Sequence, residues 1–137
     1  MNRNRTSRTS ALVLDSEGLS QTVLRDSRMT QWVTAASAKG VPVLTSAATL
    51  VEVVHPRIRR PALDWVLSRI IIEPVTRDVS LLAAQLLRDA DLHGHRHAID
   101  AMLCATALRV GGPATILTSD PDDLLALCAG RAAVIKI

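Results

Sequence analysis

The stretch ALVLD, residues 11–15, decides how this chain is read. Four aliphatic residues in a row, without helical spacing, form a short buried strand. The run ends on a carboxylate, Asp15, where the strand gives way to the helical pattern of Gly18 to Arg25. Outward from there, aliphatic runs and helical patterns alternate. A second helix over Met29 to Lys39 is stopped by Gly40, and VPVL at 41–44 is the next strand. Thr45 or Ser46 caps a helix that runs through Val54 and carries Glu52. A short helix over 61–69 follows His55 and Pro56, and Ile70 to Val75 is a third strand. Val79 to Leu92 is strongly amphipathic, Gly94 breaks it, and Ala98 to Val110 is a further helix. Thr115 to Thr118 is a fourth strand, Asp120 caps a helix with Pro121 at its first position, and Ala132 to Ile135 is a fifth strand.

Strands that alternate with helices pair in parallel and are covered on both faces, which predicts a three-layer α/β/α sandwich with a mainly parallel sheet of about five strands. Right-handed crossovers bring the carboxyl end of every strand to one edge, where open α/β sheets bind their ligands. Asp15, Asp100 and Asp120 all fall near that edge, and so does Glu52, deeper along its helix among Leu50, Val51, Val53 and Val54. Four carboxylates do not share a pocket unaided. Two unit charges ~4 Å apart repel by about 4 kcal/mol at an effective dielectric near 20. A hard divalent cation with oxygen ligands, Mg²⁺ or Mn²⁺, relieves that repulsion and equips the site for phosphodiester hydrolysis.

Composition agrees with one globular domain and narrows its partners. The 137 residues are 48% apolar and carry a formal charge of +3, almost all of it from arginine. Residues 1–10 read as a flexible basic tail and 11–137 as a single domain. With no Phe or Tyr and only Trp32 and Trp65, the chain offers no aromatic platform for unpaired bases, so nucleic-acid binding must rest on charge and metal. Trp65 reads as core or dimer surface. No apolar stretch is long enough for a membrane span and the N-terminus lacks a signal-peptide pattern, which gives a cytoplasmic expectation. Cys104 and Cys128, without a metal-type spacing, read as buried free thiols. The HGHRH run, residues 93–97, has neither the spacing nor the cysteines of a zinc site. Arg96 and His97 just before Asp100, and Arg57 and Arg59 in the loop after Glu52, are candidate RNA-phosphate contacts.

LVLD at 12–15, SAATLVEVV at 46–54, HAIDAMLCATAL at 97–108 and ILTSDPDDL at 116–124 resemble, in order and spacing, the motifs of PIN-domain nucleases. The likeness is strongest to the small VapC-type toxins of toxin–antitoxin pairs, and it spans residues 11 to 137. It implies a Mg²⁺- or Mn²⁺-dependent endoribonuclease acting on single-stranded RNA, a homodimer, and a small antitoxin as partner. Asp15, Glu52, Asp100 and Asp120 match the acidic quartet. Ser16 matches the hydroxyl residue after the first Asp, and Asp123 a further acidic position. Glu17, Leu124 and the basic tail depart from the pattern without removing a ligand. Two other readings compete. One is a non-catalytic PIN-like binding module. The other is an aspartyl-phosphate phosphatase or receiver-type protein, which needs a positioned lysine that neither Lys39 nor Lys136 supplies from its place in the sequence.

Overall fold

The computed structural model describes residues 9–137, and the rest of the basic tail lies outside the described residues. Five strands form one parallel sheet: β1 (Ala11–Leu14), β2 (Val43–Ser46), β3 (Ile71–Glu73), β4 (Ala114–Thr118) and β5 (Ala133–Lys136), in the order β3-β2-β1-β4-β5. Seven α-helices connect them: α1 (Ser16–Val23), α2 (Ser27–Ala38), α3 (Leu50–Val53), α4 (Arg60–Leu67), α5 (Arg77–Ala90), α6 (Gly94–Leu108) and α7 (Pro121–Cys128). The expected α/β/α sandwich with a parallel five-stranded sheet is present.

All four residues of β1 are buried, as the aliphatic run requires. Alternation along the strand sends them to two cores. Ala11 and Val13 face α5, α6 and α7, and meet Val79, Leu86, Leu103, Leu124 and Leu127. Leu12 and Leu14 face α1 to α4, and meet Leu19, Met29, Val53, Leu63 and Val66. The chain builds outward from β1 to β3, then crosses back through α5 and α6 to lay β4 on the other side of β1. The direction of winding therefore reverses between β1 and β4. In an open parallel sheet that reversal leaves a crevice at the strands' carboxyl ends.

Several local boundaries move from their sequence-based places, each for a visible reason. Helix α1 starts at Ser16 because the Asp15 carboxylate accepts the Gly18 backbone N–H at 2.7 Å and caps it. Strand β2 begins two residues late, because the Val41 N–H still bonds the Ala36 carbonyl at 2.8 Å as the chain leaves α2. Thr45 is consequently a strand residue, and its hydroxyl donates to the Leu14 carbonyl at 2.6 Å. Ser46 does cap, but what it caps is a 3-10 turn, Ala47–Thr49, ahead of the four-residue α3. Helix α5 ends with Asp91 in the left-handed region, φ 56°, and α6 opens at Gly94 with a kink at His97. Thr9 and Ser10, counted with the tail, hydrogen-bond to Pro113 at the head of β4.

One further expectation is corrected. Cys104 on α6 and Cys128 at the end of α7 form a disulfide, not a pair of free thiols. The packing of α7 across α6 brings their Cα atoms to 6.1 Å, which two residues 24 apart in sequence do not reveal. Of the two readings of Trp65, core or dimer surface, its 54% exposure fits the surface one; Arg69 stands 4.8 Å and Arg25 6.0 Å from its ring centre. No helix among the described residues is long and apolar enough to cross a membrane.

The Thr49 hydroxyl is fully buried and has no hydrogen-bond partner among the described residues. A buried unsatisfied hydroxyl costs about 1–3 kcal/mol, whereas an apolar group of the same shape does not. Thr49→Val is therefore expected to raise the unfolding free energy by about 1 kcal/mol in urea titration.

Candidate metal centre

Asp15 stands at the mouth of the crevice, one residue past β1. Its backbone N–H bonds the Leu117 carbonyl at 3.2 Å, so its position is set by β4 as well as by its own strand. Its side chain takes a bond from Gly18 N–H at 2.7 Å and another from the Thr118 hydroxyl. Burial, with Glu17 and Glu52 nearby, pushes its carboxyl above the usual range, and those two hydrogen bonds only partly offset this.

Gly18 is what lets the cap close. A Cβ built there would lie 3.3 Å from Asp15 Oδ1 and 3.3 Å from the Leu117 carbonyl oxygen. Gly18→Ala should leave the melting temperature within a few degrees, because Ala's helix preference of about 1 kcal/mol offsets the crowding. It should weaken divalent-ion binding about tenfold, measured by calorimetry, because the displaced atom is a carboxylate oxygen of the site.

Asp100 sits one turn past the kink of α6 and faces the same place. It is partly buried, and its carboxyl is pushed up to about 6, first by burial and then by the charges of Asp15, Glu52 and Asp123. Glu52, on α3, is exposed at the rim, and its carboxylate accepts a short hydrogen bond from the Ser16 hydroxyl. Of the proposed quartet, Asp15, Glu52 and Asp100 are thus brought into mutual electrostatic contact. Asp120 lies at the same edge as the residue before α7, exposed and without a capping bond. It is not among the charges acting on Asp15 or Asp100. Asp123, one helical turn further along α7, occupies the nearer position.

His97 completes this side of the crevice. Its Nδ1 is 3.3 Å from the Asp123 carboxylate. His93 and His95 are exposed, their ring centres 6.3 Å apart, and Arg96 is also exposed. Arg57 and Arg59 line a surface groove of about 680 Å³ with Val23, Leu24, Arg25 and Trp65, and none of the carboxylates lines it. Lys136 ends β5 at the carboxyl edge in register with Thr118, but β4 separates it from Asp15 and its side chain is exposed.

The donor set fits a hard divalent cation. Three carboxylates from β1, α3 and α6 converge, a fourth comes from α7, and no lysine or arginine forms an ion pair with any of them among the described residues. A bound cation would remove the repulsion that now raises Asp100. Sequence reading missed Gly18 and Thr118, because a glycine inside a helix and a threonine ending a strand carry no chemical signature of their own.

No protein-family model matches the chain, and no curated protein matches it. Among solved structures, a chain of VapBC2 from Rickettsia felis bound to a DNA fragment from their promoter superposes with a TM-score of 0.71. The two are 16% identical over 93% of this chain and 98% of that one. A chain of FitAcB from Neisseria gonorrhoeae gives 0.63 at 22% identity, over 91% and 96% of the two chains. A chain of FitAB bound to an IR36 DNA fragment gives 0.62 at 24%, over 91% and 94%. Likeness at these identities establishes the shared fold.

Proposed function

We propose that this chain, which shares its fold with chains of VapBC and FitAB toxin–antitoxin complexes, is a VapC-type PIN nuclease that cuts single-stranded RNA with a divalent metal. The observation that carries the reading is the convergence of Asp15, Glu52 and Asp100 at the winding reversal, with Asp100 pushed up to about 6. Carboxylates so placed, with no cationic side chain between them, are suited to hold Mg²⁺ or Mn²⁺.

When bound, such an ion polarises the phosphate and lowers the pKa of water. The chain's own groups do the rest. Asp15, fixed by the Gly18 N–H and the Thr118 hydroxyl, presents a carboxylate oxygen that cannot swing away. Ser16 orients Glu52 through its hydroxyl, leaving the second oxygen of Glu52 for the ion or for a water. Asp100 and Asp120 provide further carboxylates along the edge, with Asp123 beside Asp100. Arg96, exposed on α6, lies on the side where a phosphate backbone would pass.

The same reading assigns a small antitoxin as partner and a homodimer as the working form, in the cytoplasm. The groove beside Trp65 combines apolar Val23, Leu24 and Ile58 with Arg25, Arg57 and Arg59, so it suits an acidic amphipathic segment. Purified full-length protein should cleave single-stranded RNA with Mg²⁺ or Mn²⁺ and stop when EDTA removes the ion, followed on denaturing gels. RNA that stays intact with metal-loaded, antitoxin-free protein would support a non-catalytic binding module instead.

A further inference from the structure

His97 stands outside the acidic set yet faces it. Three donor atoms, one each from His97, Asp100 and Asp123, lie within 4.8 Å of one another, and all three residues are partly buried. Two features put the imidazole there. The kink in α6, where His97 has φ −119° and ψ 15°, falls one turn before Asp100, so both side chains leave the helix on the crevice side. Helix α7 then brings Asp123 to 3.3 Å from Nδ1. The His97 side chain keeps only 14% of its surface exposed, unlike His93 and His95. A histidine serving as a general phosphate contact would be solvated like its neighbours.

Ligand atoms about 2.1 Å from a common ion stand about 3–4 Å apart, so these three need only small side-chain rotations to share one. The chemistry of the set differs from that of the acidic quartet. Oxygen donors alone suit Mg²⁺, whereas an imidazole nitrogen favours first-row transition ions, increasingly from Mn²⁺ through Co²⁺ to Ni²⁺. Resting on the metal-dependent reading above, we infer that His97 Nδ1 is a direct metal ligand beside Asp100 and Asp123, and that it biases the site toward transition-metal ions over Mg²⁺.

Two measurements on the full chain test this without relying on activity. Electron-spin-echo modulation of Mn²⁺ bound to the wild-type protein should show ¹⁴N coupling from a directly bound nitrogen. Calorimetric titration should show Co²⁺ affinity falling ten- to a hundredfold in His97→Ala, with Mg²⁺ affinity staying within threefold. Absence of the ¹⁴N signal would overturn the inference, and that measurement needs no variant to fold. Equal losses for Co²⁺ and Mg²⁺ would also overturn it, because they would mean that His97 only steadies Asp123. RNA left uncut by protein that shows the ¹⁴N signal would defeat the nuclease reading and leave this one standing. Cut RNA without the signal would do the reverse.

Discussion

Asp100→Asn is expected to reduce RNA cleavage about a thousandfold, the scale of losing a preorganised charge in a site, while making the metal-free protein more stable. The second half follows from the cost of the native carboxylate. In the unfolded chain Asp100 titrates near 3.8, and in the folded one at about 6. The folded state therefore holds the proton more tightly. As pH rises from about 4 to about 6, the unfolded chain has already released this proton while the folded one must be stripped of it, and stability falls across that window. Above it the loss is complete, about 3 kcal/mol at 1.36 kcal/mol per pKa unit, which solvent screening of this partly exposed carboxyl lowers to on the order of 2 kcal/mol. Asparagine has no proton to lose, so the variant should lack this fall. Thermal melts in EDTA from pH 4 to 8 would check it. A wild-type melting point that is flat over pH 4–6, or a variant that melts lower at pH 7, would refute the account of Asp100. Added Mg²⁺ should stabilise the wild type and do little for the variant.

Leu117→Ala should have the largest effect on folding. Leu117 is fully buried in β4, facing the core of Leu14, Leu19 and Val53, and its carbonyl holds the Asp15 N–H. Truncating a leucine in such a place costs about 2–5 kcal/mol, a large share of a domain's stability. Its unfolding midpoint in urea should drop accordingly, whereas Leu125→Ala, at a side chain 52% exposed, should change it by less than about 0.5 kcal/mol. Similar losses at both positions would mean that β4 does not pack as described.

Much of the architecture was legible because aliphatic runs and helical spacing are local properties. ALVLD could only be a buried strand, and the alternation that follows requires a parallel sheet. Asp15 was legible for the same reason, since it ends a strand. What resisted reading depends on distances across the fold. Asp120 and Asp123 are one helical turn apart, and nothing in PDDLL reveals which of them α7 turns toward Asp100. The kink inside HGHRH that turns His97 toward Asp123 has no sequence mark either. The Cys104–Cys128 bond and the exposure of Trp65 follow from how α7 crosses α6 and how α4 seats on the sheet. Both are decided by packing between elements that the sequence lists separately.

The placement of β4 beside β1 bears on when the carboxylate cluster comes together during synthesis. Leu14 and Leu117 are direct neighbours in the sheet although roughly a hundred residues separate them along the chain, and such contacts form late. A nascent polypeptide still on the ribosome carries Asp15, Glu52 and Asp100 but lacks the strand that anchors the first of them. A carboxylate cluster assembled this way is incomplete until β4 (Ala114–Thr118) has been made and has paired with β1.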